Sequence, residues 1–309
     1  MTTQSTITLL IGETDQVEDG NYFWFANELL RRGFKVKLAP MDSLRLTDSQ
    51  VSCQIRCLDQ PLSMGEPLGP WHSASLENQD IVWVLALGIR HSFLDKIQLL
   101  YNLPPQIRVI NSLDSLMHLK SKYFLASSEV IQYPASWASN DPQELYQTMQ
   151  DQGGEWIVKP PAGSFGREVY RLNANDVNAH VILESMTDYD NQRYCLMQRY
   201  VPEISQGEKR VLFAHGEPVG QYLRIATRDH RTNLMQGGEA VKAELTSEES
   251  LYCQQIGRLL KEMGAEFVGM DLAYPWVIEF NVVNPGGLTT IQALENRDLT
   301  GAILDRLFP

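Results

Sequence analysis

The sequence is poor in the features that settle a protein's class at a glance. Only four cysteines (Cys53, Cys57, Cys195, Cys253) occur in 309 residues, too few and too scattered for a disulfide framework. Cys53-x-x-x-Cys57 has the spacing of a metal pair, but no second pair or histidine cluster completes it, so reduced structural thiols are expected. Residues 1–5 are polar, and the apolar run of residues 7–11 is too short for a signal core or a membrane span. A soluble, cytoplasmic chain with no membrane partner is the expectation. Basic side chains are the scarcer sign, 26 against 38 acidic, for a formal net charge of -12. That balance argues against a sequence-independent nucleic-acid binder, which needs a basic surface for phosphates. Neither Gly-x-Gly-x-x-Gly nor Gly-x-x-x-x-Gly-Lys-Ser/Thr occurs, which argues against a Rossmann dehydrogenase and a Walker-type NTPase.

What is present is enough for a large core, 43% apolar residues, and three regions. Residues 1–118 alternate strand-like and helix-like patterns. Ile7-Thr8-Leu9-Leu10-Ile11 is a buried-strand run, and residues 20–32 place Tyr22, Phe23, Ala26, Leu29 and Leu30 on one helical stripe that stops at Gly33. Residues 36–38, 81–86 and 109–110 read as further strands, with a helix near residues 91–101. This β-α-β order predicts an α/β domain with a small parallel sheet. Residues 42–80 show little periodicity, hold several prolines and glycines, and read as a long loop. Residues 119–196 open with a helix through Lys120, Lys122 and Phe124. Then Trp156-Ile157-Val158-Lys159, a small-residue loop and Val169-Tyr170 form a hairpin whose tip can cover phosphates with backbone N–H groups. Residues 197–309 read mainly as strands, interrupted by a long helix that starts at the capping box Thr246-Ser247-Glu248-Glu249 and runs to about Met263.

The most informative stretch is Val277-Ile278-Glu279-Phe280-Asn281, with Asp271 eight residues before Glu279. Glu279 and Asn281 are two apart in a strand and share a face. Two carboxylates and an amide oxygen make a hard-oxygen site suited to Mg²⁺, or Mn²⁺, held jointly with nucleotide phosphates. The apolar neighbours make a Glu and an Asn costly to bury unless something coordinates them. The two carboxylates meet only in one register. A three-residue turn, Tyr274-Pro275-Trp276, or a longer loop in the same register, brings Asp271 opposite Glu279, whereas a two-residue turn puts Asp271 opposite Ile278.

Five stretches then stand in a familiar order: the Lys122 helix, Ile157-Val158-Lys159-Pro160, residues 194–202, Gly207-Glu208-Lys209-Arg210-Val211-Leu212, and Gly269-Met270-Asp271 through Asn281. Together they resemble the ATP-grasp superfamily, and within it the prokaryotic glutathione synthetases, over roughly the last two-thirds of the chain. The resemblance implies an ATP-grasp fold with α+β lobes behind an N-terminal parallel-sheet pre-ATP-grasp domain, bounded at 1–118, 119–196 and 197–309. It places Lys122 and Lys159 on the phosphates of ATP, and Gly163, Ser164 and Gly166 in the loop that covers them. Gln198, Tyr200 and Val201 fall in the hinge that meets adenine, although Tyr200 reads equally as a core aromatic. Glu208 falls where ribose hydroxyls are accepted, and Asp271, Glu279 and Asn281 on magnesium. Arg210 takes the catalytic arginine position and Arg224 a substrate or phosphate contact; a solvated face is the plain alternative for both. The implied reaction is ATP- and Mg²⁺-dependent joining of a small-molecule carboxylate to an amine through an acylphosphate, with no protein nucleophile. A related dipeptide or amino-acid ligase and a non-catalytic ATP-binding protein are the alternatives, and a homo-oligomer is left open.

Departures from the family concern the substrate. After Asn281 the chain has Asn284-Pro285-Gly286-Gly287 in place of a Ser-Pro-Thr-like turn. An Arg-Lys-Asp-Pro-Pro-Phe-Asp stretch is replaced by Leu87-Gly88-Ile89-Arg90-His91-Ser92-Phe93. Phe165 interrupts the phosphate loop. Glu239 stands where an arginine is usual, which predicts poor use of γ-glutamylcysteine and a preference for a substrate with an extra amine.

Overall fold

The structure, a computed structural model, describes residues 5–163, 166–227, 232, 234 and 237–309. The described residues form three sheets, taken in turn along the chain. Strand β1 (Thr6–Ile11) lies inside the first, with β2 (Lys35–Pro40) and β6 (Ile81–Val84) parallel on either side and β7 (Arg108–Ile110) parallel beyond β6. Its continuous apolar run fits a strand covered on both faces: Ile7, Leu9, Leu10 and Ile11 are fully buried. Helix α1 (Gly20–Arg31) starts at Asp19, whose carboxylate accepts the Asn21 and Tyr22 N–H groups, and buries Tyr22, Phe25, Ala26 and Leu29 at helical spacing. Helix α2 (Phe93–Leu100) precedes β7.

Residues 42–80 depart from the expected long loop. They contain β3 (Arg45–Thr47), β4 (Gln50–Cys57) and β5 (His72–Ser75), which extend the sheet antiparallel from β2. The two-residue turn between β3 and β4, Asp48-Ser49, has φ of 48° and 65°, the positive values that suit a tight hairpin. Val51, Cys53 and Ile55 are buried at strand spacing. Ser52 and Gln54 between them complete a period-2 alternation, which the prolines and glycines of residues 61–70 mask in the stretch as a whole.

The helix expected through Lys120 is broken into α3 (Leu113–Leu119) and α4 (Tyr123–Ser127). The break has a cause: the Lys122 N–H leaves the helical ladder and donates to the Pro161 carbonyl oxygen at 3.1 Å. The second sheet follows, with β8 (Ser136–Ser139), α5 (Pro142–Gln152), β9 (Trp156–Lys159), β10 (Tyr170–Leu172), α6 (Ala179–Met186) and β11 (Cys195–Arg199). It is antiparallel in the order β10-β9-β11-β8. It buries a core of its own, in which Trp156, Val158, Leu183 and Met197 take part.

The third sheet is antiparallel in the order β14-β13-β12-β15-β16. Its strands are β12 (Glu208–Ala214), β13 (Glu217–Ile225), β14 (Glu239–Val241), β15 (Phe267–Ala273) and β16 (Trp276–Asn281). Helix α7 (Ser247–Glu262) begins at the expected capping box, formed in both directions between Thr246 and Glu249. Helices α8 (Leu288–Glu295) and α9 (Leu299–Leu307) follow and pack against α1 and against β12 and β13 of the third sheet, within one core that also takes in β1 and β6. The first and third sheets therefore share their cores. Phe25, Trp83 and Phe267 meet ring to ring, with centroids 4.6–5.9 Å apart. Among the described residues no helix is long and apolar enough to cross a membrane.

Candidate active site

A cavity runs between the second and third sheets. It is lined by Lys122, Lys159, Gly163, Gly166, Gln198, Tyr200, Val201, Glu208, Arg224, Asp271 and Glu279, with Ile157, Ile204 and Ile278 among its apolar walls. Of the other positions singled out in the sequence, Arg210 and Asn281 are absent from this lining, and Ser164 lies outside the described residues.

Pairing explains how the charged floor assembles. Glu208 and Arg224 are cross-strand partners on β12 and β13, and Arg210 and Asp271 are partners on β12 and β15. Because Glu208 and Arg210 are two apart, all four side chains fall on one face. Arg210 donates to both Asp271 oxygens, Nε to Oδ1 at 2.5 Å and Nη2 to Oδ2 at 3.1 Å, and also to the Gly286 carbonyl at 2.8 Å. Arg224 reaches Asp271 at 2.6 Å and also pairs with Glu208, which accepts the Thr232 hydroxyl as well. Burial alone pushes Asp271 up, but Arg210 and Arg224 outweigh it and hold the carboxyl down at about 2. Burial likewise works against charge on Arg224, and Asp271 and Glu208 reverse that and raise it. Glu208 is pushed up by burial, with Arg224 opposing.

Asp271 does face Glu279, but by a route other than the three-residue turn. The hairpin closes with only Tyr274 and Pro275, pairing Ala273 with Trp276 and Leu272 with Val277. A β-bulge then absorbs Ile278, and the ladder resumes with Asp271 opposite Glu279 and Gly269 opposite Asn281. An extra residue in one strand does the work expected of a longer turn.

Across the cavity, Lys159 ends β9 and is 6% exposed. Its ammonium donates to Gln198 Oε1 at 2.8 Å. Lys122, fixed by its backbone bond to Pro161, reaches Glu279 at 3.2 Å. Burial and the Lys122 charge push Lys159 down to about 7, with Glu279, Glu208 and Asp271 opposing. Val201 is buried at the end of this wall, while the Arg171 guanidinium lies 3.8 Å from the centre of the Tyr200 ring.

The donors fit a divalent cation that shares its coordination with a ligand. Among the described residues no three His, Cys, Asp or Glu side chains gather into a self-sufficient site. Asp271 and Glu279 line the cavity and offer carboxylate oxygens to such an ion, while Asn281 lies outside that lining with its amide nitrogen buried and without a hydrogen-bond partner. Asp271 and Glu279 meanwhile are neutralised by Arg210, Arg224 and Lys122.

The sequence names Thr232, where a glycine is usual in the family, as well as Arg167 and Asn284, but not the contacts these three make. Thr232 closes on Glu208 from a segment with no periodic pattern. Arg167 lines the cavity beside Gly166; a charge next to a glycine-rich tip was the available signal. Asn284 pairs with the first region: Asn21 donates to its side-chain oxygen at 2.7 Å and to the Pro285 carbonyl at 3.1 Å, and Asn284 donates to Asp19 at 2.8 Å. Glu239 sits exposed on edge strand β14, outside the lining of this cavity.

Two sheets with a cleft between them, lysines on one side and carboxylates paired with arginines on the other, are the arrangement of the ATP-grasp class. Solved structures agree on the fold. The ATP-grasp ligase PsnB complexed with a minimal precursor superposes with a TM-score of 0.65 at 18% identity, covering 98% of each chain. The D-cycloserine synthetase DcsG does so with 0.69 at 14% identity, over 98% of this chain and 100% of that one. The chain belongs to the prokaryotic glutathione synthetase ATP-grasp domain family, which its residues 122–296 match. It is similar to the glutathione synthetase of Mesorhizobium japonicum, 28% identical over 92% of this chain and 91% of that protein. A 34% identity to the glutathione synthetase of Prochlorococcus marinus spans 49% of either chain. That to the Shewanella oneidensis enzyme, also 34%, spans 65% and 64%. The chain thus matches about half to two-thirds of the length of these two relatives.

Proposed function

We propose that this protein is an ATP- and Mg²⁺-dependent carboxylate–amine ligase that works through an acylphosphate, with glutathione synthesis as the nearest named reaction. One observation carries the reading: Lys122 at the start of α4, Lys159 on the second sheet, and Arg224, Asp271 and Glu279 on the third converge on a single cavity. Residues 198–201 and Glu208 would hold adenine and ribose, and Gly163, Ser164 and Gly166 would cover the phosphates. Lys122 and Lys159 would bind those phosphates as point charges. Asp271, Glu279 and Asn281 would hold Mg²⁺, which when bound neutralises phosphate charge. Arg210 and Arg224, held in place by Asp271 and Glu208, would present fixed positive charge to the oxygens of the acyl phosphate and of the tetrahedral species that follows amine attack. We further read residues 1–118 as the substrate-binding domain, with 119–196 and 197–309 as the two lobes around the nucleotide.

The Asn284-Pro285-Gly286-Gly287 turn favours a second reading, a peptide-type ligase with other substrates, because it stands beside Arg210, where the acyl group would be activated. Phosphate release measured for pairs of carboxylate and amine, starting with γ-glutamylcysteine plus glycine and extending to amino-acid and dipeptide pairs, separates the two. Release that needs no carboxylate would mark an ATPase in place of a ligase, and no release with any pair while ATP still binds would leave only a nucleotide-binding role.

A further inference from the structure

Two cations share one oxygen beside the main cavity. The Lys120 ammonium donates to the Ala162 carbonyl at 3.2 Å, and the Arg90 guanidinium donates to the same oxygen at 3.4 Å. A neutral carbonyl cannot offset two charges. Burial and the neighbouring Lys122 push Lys120 down to about 8 even though Glu279 opposes them. The adjoining cavity is lined by Arg90, Arg167 and Arg193, with Glu168, paired to Arg193 at 3.4 Å, as the carboxylate in its described lining. On a chain with a formal net charge of -12, this is a pronounced local excess of positive charge.

Arg90 is also held with some precision. The Asp42 carboxylate accepts the Ile89 N–H at 2.8 and 3.0 Å, and the 4% exposed Lys96 bridges Asp42 and the Ile89 carbonyl. Gly88 has φ of 59°, and a Cβ there would sit 2.3 Å from an Asp42 oxygen. Burying an ammonium to fix an exposed turn is expensive unless what the turn carries has to be placed. The two cavities share Pro160, Gly163 and Arg167, so a ligand can extend from one into the other past the edge of the loop.

We propose that Arg90, Lys120, Arg167 and Arg193 form an anion subsite that takes the second carboxylate of an acidic acyl substrate. The assignment rests on the reading of the main cavity as the ATP site. Arg90, Lys120 and Arg193 are absent from that cavity's lining, so they complement a group other than the nucleotide. A local cation cluster also lets an acidic protein capture an acidic ligand that its overall field repels.

Calorimetry on the full chain tests this, with AMPPNP, glutarate and γ-glutamylcysteine as probes and the two carboxylates titrated with and without AMPPNP and Mg²⁺. The wild type should bind a dicarboxylate more tightly at low salt than at high salt. Arg90→Ala and Arg193→Ala should each weaken that binding by about five- to tenfold, the size of one partly screened charge pair. AMPPNP affinity should stay within about twofold, and Arg90→Lys should retain most of the binding. Circular dichroism on each variant checks that it is folded. No binding of either dicarboxylate by the wild type, unchanged binding in the variants, or an equal loss of AMPPNP affinity would overturn the subsite. Failure of the wild type to bind AMPPNP would instead sink the nucleotide reading, and the titrations without it would still report on the subsite.

Discussion

Lys159 is a buried ammonium set beside a second one, kept in place by carboxylates across a cleft. Its folded-state value near 7 lies below the value of about 10.4 for an unfolded lysine. Between those values the unfolded chain binds the proton and the folded chain has shed it, so stability rises with pH across that window. Below pH 7 the cost of the buried charge is fully present. Lys159→Ala should accordingly match or exceed the wild type in urea denaturation at pH 6, and lose that advantage by about pH 10. Its nucleotide affinity should fall by about tenfold or more, since a phosphate-facing charge is lost from a desolvated site. Phosphates favour the ammonium, so nucleotide binding above pH 7 should be accompanied by proton uptake, seen as a calorimetric heat that varies with the ionisation enthalpy of the buffer. Unchanged affinity in the variant would remove Lys159 from the nucleotide site. The lysine was legible because a cation ending an apolar strand stands out; its partner Gln198 was legible only as part of a motif.

At the scale of the element, local chemistry could be read where one signal dominates. The Thr246–Glu249 box marked the start of α7 to the residue. Thr246→Ala should cost about 1 kcal/mol of stability and leave AMPPNP affinity unchanged, as measured by denaturation and calorimetry. The bulge at Ile278 was not readable, since turn length and strand register are set by tertiary packing as well as by turn residues. Strand β4 carries an unbroken period-2 alternation from Gln50 to Cys57 that was passed over, as was Phe25 by a helical stripe drawn through Phe23 and Leu30. The turn at residues 284–287 is the element most exposed to test. Asn284→Ala removes hydrogen bonds to Asn21 and Asp19 and should cost about 1–3 kcal/mol. Because Gly286 in this turn also accepts from Arg210, kcat for the ligation should fall more than affinity for AMPPNP. Equal losses in both would make Asn284 a purely structural residue.

Over the whole molecule, strand order pointed to an α/β first region with a parallel sheet and the family resemblance to an ATP-grasp fold, and the fold is of that class. What composition could not convey is how the cores are divided. The middle sheet buries its own side chains, while the first and third are fused through Phe25, Trp83, Phe267 and helices α8 and α9. The cleft lies on the seam between these two bodies. A ligand that binds both walls stabilises the assembly by RT ln(1 + [L]/Kd), about 2.7 kcal/mol at a hundredfold excess over Kd. AMPPNP with Mg²⁺ should therefore raise the melting temperature, and hydrogen exchange should slow most in residues 136–199. The separate core has a further consequence, for survival. A lobe that opens on its own is where a protease first finds unfolded chain, and cleavage follows the population of that open form. Without nucleotide, limited digestion should cut first within this lobe; with nucleotide bound, the same lobe should outlast the assay. In a cell the persistence of this protein would then track the supply of its own co-substrate.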